Sequence, residues 1–449
     1  MRAIALALGH RELRLLLCAG VVSLTGDWVL RVGLAYYVYA LTGSTLASAI
    51  MLLASFVPQI ALGSVAGVFV DRWDLRRTMV VASVLLAVGL LPLAAVHRPG
   101  QMWIVYLVTV WEGCVQQFFA PAQQSLLPHV VQDAHLVTAN ALNSQNEEVS
   151  RLIGSALGGV LAAFGGIALL ALADATSFLI SAALIAGMRT ACREHHSRGA
   201  DAQLRTRVAQ LRTEWAEGLR LCAHHRVLRV IGLFVLVTCV GEGIMSTLFA
   251  PFVRSVLHAN SSTYGLISSA QAIGGITGGL LTAAFGTRID AARTLGCAAI
   301  AFGLLDLAFF LYPLGLVAAW PAIALMILVG FPGALLSAAT MTLLQRNTAE
   351  GHRGRVFGAL GAIEGTALVT GTLAAGFLGR LAIIPTLAAQ GGGYILAGTL
   401  VLIALRHNHA VTPTAADAAP GTASHHDHDP NHPERDECFA HEQADTPTS

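Results

Sequence analysis

Twelve apolar stretches, each about as long as a bilayer is thick, govern what this chain of 449 residues can become. They lie at about 13–41, 47–70, 78–96, 102–124, 145–165 and 167–188, then at about 228–253, 263–285, 294–312, 316–344, 355–379 and 384–405. A membrane core asks for about 20 apolar residues per helix. Lipid offers no partner to an unpaired backbone group, so each stretch is predicted to be a helix. Hydrophobic residues form 55% of the chain and charged residues 12%, with a mean hydropathy of +0.65. Soluble domains carry about twice that charged fraction. The expected class is an all-α integral membrane protein with twelve transmembrane helices.

Arginine placement sets the expected orientation. All 27 basic residues are Arg. With both ends of the chain in the cytoplasm, 22 of the 27 arginines fall on that side, Arg98, Arg254 and Arg380 fall outside, and Arg31 and Arg151 lie within spans. Such an excess is what the positive-inside rule asks for. The net charge of +1 gives no reason to expect a nucleic-acid partner. The 7 cysteines show no paired or metal-finger spacing, so no disulfide framework is expected. The first apolar run continues into a full span, so no cleavable signal is expected.

The domain plan follows: 1–188 as a six-helix half, 189–227 as a cytoplasmic linker, 228–405 as a second six-helix half, and 406–449 as a disordered tail. In the linker, Leu204, Val208, Leu211, Trp215, Leu219 and Leu221 fall mainly at spacings of three and four among arginines. That pattern predicts an amphipathic helix on the inner membrane surface. The halves also repeat in sequence. Phe285-Gly286-Thr287-Arg288 and Arg293 echo Phe69-Val70-Asp71-Arg72 and Arg77 at an offset of 216 residues. Duplicated halves predict a pseudo-symmetric fold with a site near the midplane between them. Gly154 to Gly159 and Gly274 to Gly279 supply small residues for close helix contacts.

Gly67, Asp71, Arg72, Arg76 and Arg77 lie in the tight charged turn between the second and third spans. This pattern resembles the loop between helices two and three of the major facilitator superfamily. Trp73-Asp74-Leu75, where many members have one residue and a Gly, is similar to the branch holding macrolide, siderophore and metal exporters. The resemblance implies the major facilitator fold. It also implies alternating access, and a loop that latches the halves during the cycle.

Ionisable groups inside spans cost at least about 2.5 kcal/mol each near the centre. Asp27, Glu112, Glu147, Glu148, Asp174, Glu242, Asp306 and Glu364 stand there against Arg31 and Arg151 only. Asp27 and Arg31 are spaced to pair on one helix face, and Glu147 and Glu148 to pair with Arg151. By resemblance, helices one, four and seven line the central cavity, with five and eleven beside it. Asp27, Glu112 and Glu242 are therefore the leading substrate or proton groups, and Arg31, Glu147, Glu148, Arg151 and Glu364 are further cavity candidates. Asp174 and Asp306 fall on supporting helices six and nine, where structural pairing is expected. Trp28, Tyr36, Tyr37 and Trp111 are candidates for an aromatic cavity lining. An acid-rich cavity favours a cation, a proton or both.

The tail carries His425, His426, His428, His432, Cys438 and His441 among acids. Imidazole, thiol and carboxylate at short flexible spacing chelate nickel, cobalt, zinc or copper. With the twelve-span body, this tail resembles bacterial nickel-resistance exporters. The leading expectation is an inner-membrane monomer that exports nickel or cobalt in exchange for protons and confers metal resistance. The alternative is export of a macrolide, cationic drug or siderophore; a transporter-derived metal sensor is the third reading. No Gly-x-Ser-x-Gly, Walker loop, dinucleotide fingerprint or His-Glu-x-x-His occurs, so neither an enzyme nor a cofactor is expected.

Overall fold

The computed structural model describes residues 11–70, 73–131, 133–189, 218, 220–285, 290–348 and 353–405. These are helical, without strands. The first half holds α1 (Arg11–Thr42), α2 (Thr45–Val70), α3 (Leu75–Leu90) and α4 (Met102–Val130). It ends in one long segment, Asp133–Ala186, that breaks at Gly166 (φ 58, ψ −151) into α5 (133–165) and α6 (167–186). Only glycine adopts that backbone at little cost, so the chain reverses there without a loop. The second half holds α7 (Arg226–Pro251), α8 (Ser261–Phe285), α9 (Ala291–Leu311), α10 (Trp320–Arg346), α11 (Arg353–Leu378) and α12 (Ile383–Ala404). The twelve predicted spans are thus twelve helices. The main difference is α5, which starts about twelve residues before the apolar run. Residues 145–186, which include most of α5 and all of α6, and seven other helices are long and apolar enough to cross a membrane.

Duplication is visible in matching caps. Asp74 Oδ1 accepts from Arg77 N at 2.8 Å to start α3, and Asp290 Oδ1 accepts from Ala292 N at 3.0 Å to start α9. In both, the next threonine bonds back to the cap carbonyl, Thr78 to Asp74 and Thr294 to Asp290, each at 2.9 Å. An N-cap carboxylate satisfies an orphan N–H of the first turn. The same device therefore stands 216 residues apart.

Each half has its own core. One cluster of buried side chains runs from Leu13 to Met188 and another from Cys222 to Leu405. A third joins Val32 of α1 to Ile244, Phe249, Tyr264 and Phe309 of the second half. Between halves, α5 packs on α8 and α2 on α11. Gly159 and Gly265 meet backbone to backbone: a Cβ on either glycine would stand 2.8 Å from the other's Cα.

Where the halves touch decides the conformation. Call the end bearing Gly43 the Gly43 face and the end bearing Asp74 the Asp74 face. Tyr36 donates to Ala259 O at 3.0 Å, Thr45 donates to Gly376 O at 3.0 Å, and Tyr39 and Ser255 share a bond of 2.8 Å. All three cross between halves, and all lie toward the Gly43 face. Toward the Asp74 face, Arg76 Nε donates to Ile185 O at 3.2 Å, Arg76 Nη2 bonds Ala186 O, and Arg226 donates to Ala404 O at 2.8 Å. Those bonds each stay within one half. Among the described residues, the molecule is fastened at the Gly43 face.

Candidate substrate and coupling site

Two groups of polar side chains sit near the middle of the bundle, one per half. Asp27 lies about 24 Å along α1 from Arg11, at 1.5 Å per residue. Its neighbour Gly26 lets α6 approach: a Cβ there would collide with Asp174 Oδ1 and Ser177 Oγ. Asp174 is fully buried, at 0% exposure. Ser177 Oγ lies 3.1 Å from Asp174 Oδ1 and 2.8 Å from the Asp174 carbonyl, so one hydroxyl proton serves both. Asp174 Oδ2 and Asp27 Oδ1 are buried and reached by no donor among the described residues. Glu112 of α4 completes the group, within electrostatic reach of Asp27 and Asp174.

The expected Asp27–Arg31 ion pair does not form. Arg31 turns away instead, its guanidinium 4.9 Å above the Trp28 ring. A guanidinium is weakly hydrated and sits well on an indole face. Its charge still acts on Asp27 and Glu112. In α5, Arg151 Nη2 pairs with Glu148 at 2.7 Å, whereas Glu147 is exposed and joins no ion pair among the described residues.

In the second half, Glu242 lies about 24 Å along α7, the same depth as Asp27. It is exposed, as is Leu233 nine residues earlier. At about 100° per residue these two point in opposite directions. Leu233 and Glu242 are therefore exposed on opposite faces of α7. Glu364 of α11 is likewise exposed and opposite to exposed Leu373. Cys239 sits within reach of both Glu364 and Glu242. Arg151, from the first half, acts on Glu242 across the gap. The α5 pair also lies against α8, with a Cβ on Gly275 at 3.3 Å from Arg151 Nη2. Behind Glu242, Gly241 packs on Gln390, and Asp306 and Tyr394 are close.

Asp174 and Asp306 depart from expectation. Neither forms an ion pair among the described residues. Each is buried beside other acids, Asp174 with Asp27 and Glu112, and Asp306 (2% exposed) with Glu242. Helix number alone hid this, because the supporting helices turn one face inward. Gln390, 2% exposed and with Oε1 unpartnered, drew no attention in the sequence. The 216-residue offset from Asp174 was the available signal.

Trp111 also differs. Its Nε1 donates to Leu85 O at 3.1 Å, and its ring lines an outer cleft of 680 Å³ between α3 and α4 with Trp73, Arg77 and Phe118. Trp28 stands at the acid group, Tyr36 at the fastening between halves, and Tyr37 beside Gly166. In the charged turn, Arg76 ties α3 to the end of α6 in its own half instead of latching the two halves. Gly67 ends up in α2, and Arg77 is at the cleft. Asp71 and Arg72 lie outside the described residues. So do His425, His426, His428, His432, Cys438, His441 and most of the 189–227 linker. Among the described residues, no group of three or more His, Cys, Asp or Glu side chains is placed to hold a metal ion.

Known proteins share both the sequence pattern and the architecture. The transmembrane secretion effector family, an MFS family, matches residues 5–433. Multidrug efflux pump Tap of Mycobacterium tuberculosis is 29% identical over 376 residues, 81% of this chain and 85% of that protein. Macrolide efflux protein A of Streptococcus pyogenes is 25% identical over 142 residues, 31% of this chain and 35% of that one. The uncharacterized MFS-type transporter YfiS of Bacillus subtilis is 27% identical over 177 residues; the match spans 39% of this chain and 42% of YfiS. Among solved structures, a bacterial homologue of the iron transporter ferroportin in the inward-facing state superposes with a TM-score of 0.71 at 15% identity, covering 88% of this chain and 98% of that one. A bacterial homolog of the human lysosomal transporter Spinster, inward-facing and unoccupied, gives 0.64 at 14% identity, covering 88% and 95%. These two likenesses concern the fold.

Proposed function

This chain belongs to the transmembrane secretion effector family of MFS transporters, and on that premise we propose that it exports an amphipathic organic cation across the bacterial inner membrane in exchange for protons. The observation that carries the reading is the pair of acid groups at mid-depth, Asp27 and Glu112 with the neighbouring Trp28 in the first half and Glu242 in the second. A carboxylate and an indole face together recognise a desolvated organic cation. That chemistry accords with relatives named as multidrug and macrolide efflux pumps.

The cycle follows from the fastening. With both chain ends in the cytoplasm, the Asp74 face is the inner one, and this conformation is open inward. A cation loads beside ionised Asp27 and Glu242. The halves then rock about the small-residue contacts of α5 with α8 and α2 with α11. Protonation of the acids from outside removes the attraction and releases the cation. Protons leave to the cytoplasm when the Asp74 face reopens. Arg31 and Arg151 keep part of the acid charge balanced throughout. The protein works as a monomer, since each monomer holds a complete site.

Nickel is the weaker substrate. Its support is the His-rich tail, which lies outside the described residues. The test uses inverted membrane vesicles under an imposed pH gradient, supplied with ethidium or with radiolabelled nickel. Gradient-driven accumulation of ethidium alone supports the proposal. Accumulation of nickel alone returns the assignment to metal export, and accumulation of neither refutes both.

A further inference from the structure

The first half offers more than the half-buried acid at Asp27. Asp174 touches α1 at Gly26, one residue from Asp27, and is sealed from solvent. Its one hydrogen-bond donor, Ser177, serves Oδ1 and leaves Oδ2 without a donor among the described residues. Asp27 Oδ1 is in the same position. The charged groups acting on Asp174 from the surrounding helices are Asp27 on α1 and Glu112 on α4, while Arg31 on α1 acts on those two; on α3, Arg76 and Arg77 stand at the far end. Arg31, the base nearest the acids, is held over Trp28 and supplies no hydrogen bond to either aspartate.

The second half carries the independent observation. At the equivalent place, 216 residues later, stands Gln390. It packs on Gly241 beside Glu242, as Asp174 packs on Gly26 beside Asp27, and it too is buried with an oxygen unpartnered. An amide has the shape of a carboxylic acid and never gains or loses a proton. The two halves therefore keep one arrangement, with a titratable member in the first and a fixed neutral one in the second.

We propose that Asp174 and Asp27 form a two-carboxyl proton site, in which one proton is shared between the buried Asp174 and the half-buried Asp27. This deepens the proton-coupled reading above and rests on it. With one proton aboard, the protonated oxygen becomes a donor, which removes like-charge repulsion between the pair. A substrate cation beside Asp27 favours the ionised pair, so the proton leaves as the cation arrives. Asp174 acts through Asp27 and is a positioning and proton-storing residue.

The spectroscopic test needs no substrate, so it separates this proposal from the choice of cargo. Infrared spectra of the purified full-length protein are recorded across neutral pH for the wild type, Asp27→Asn, Asp174→Asn and Ser177→Ala. The expected result is a carboxylic C=O band that Asp174→Asn removes, that Asp27→Asn shifts because its partner is gone, and that Ser177→Ala leaves. Asparagine keeps an oxygen for Ser177, and Ser177→Ala loses the bond while keeping the acid, so packing and protonation are told apart. An Asp174→Asn spectrum with every carboxylic band in place overturns the proposal. So do separate bands lost by the two variants. In proteoliposomes, Asp174→Asn is expected to keep ethidium counterflow and lose gradient-driven uptake. Retention of both at wild-type rates argues against it.

Discussion

The two halves of this transporter share a skeleton and differ in chemistry. Asp74 and Asp290 cap matching helices, Asp74 accepting from the third residue on and Asp290 from the second. Gly26 and Gly241 admit a buried polar side chain beside Asp27 and Glu242. Yet the partner is Asp174 in the first half and Gln390 in the second. The first half also carries Arg31 on a Trp face, and the corresponding turn of α7 has no base. Duplication preserved what packing requires, while ionisable groups diverged. On this account proton handling is assigned to the first half, and Glu242 with Glu364 serve the cargo.

Five substitutions break or sharpen that contrast, in falling order of effect. Asp27→Asn is expected to lower pH-gradient-driven ethidium transport by about a hundredfold, the lower range for loss of a proton-transfer group. Glu242→Gln should instead weaken ethidium binding several-fold and leave gradient dependence in place; vesicle transport separates the two. Gly159→Val puts a side chain into the backbone of α8. Overpacking costs about 1–3 kcal/mol, so the thermal unfolding temperature should fall and labelling of cysteines introduced at the Gly43 face should rise. Asp74→Ala and Asp290→Ala each remove one cap and should lose about 1 kcal/mol. Equal losses in the two would show that the caps are equivalent, whereas a much larger transport defect in the first would show an added role there.

The conversion Gln390→Glu gives the second half a carboxyl pair. Potentiometric titration should then show one more proton bound near neutral pH than in the wild type. An unchanged titration would mean that burial beside Glu242 and Asp306, not the residue type, decides the difference.

Much of the architecture was legible because bilayer length and backbone pairing leave few choices. The apolar runs became α1 to α12, and the 216-residue echo at Arg72 and Arg288 marked a real duplication of caps. The site was harder to read. Asp27, Glu112 and Glu242 stood out as costly charges; the fold places Asp27 with Glu112 in one group and Glu242 with Asp306 in another. Spacing suggested that Arg31 would pair with Asp27, but nothing in a linear pattern shows the pull of the Trp28 face. Asp174 and Asp306 looked peripheral because helix order does not give helix rotation. Substrate choice was pulled toward nickel by tail histidines, whereas the described bundle and the relatives favour an organic cargo.

The pH dependence of ethidium binding to purified wild type, Asp27→Asn and Glu242→Gln tests the division of labour most directly. A proton that must leave before the cation binds makes affinity rise with pH. The account predicts that rise in the wild type and in Glu242→Gln, and a flat profile in Asp27→Asn. A flat profile in Glu242→Gln with the slope intact in Asp27→Asn would contradict it.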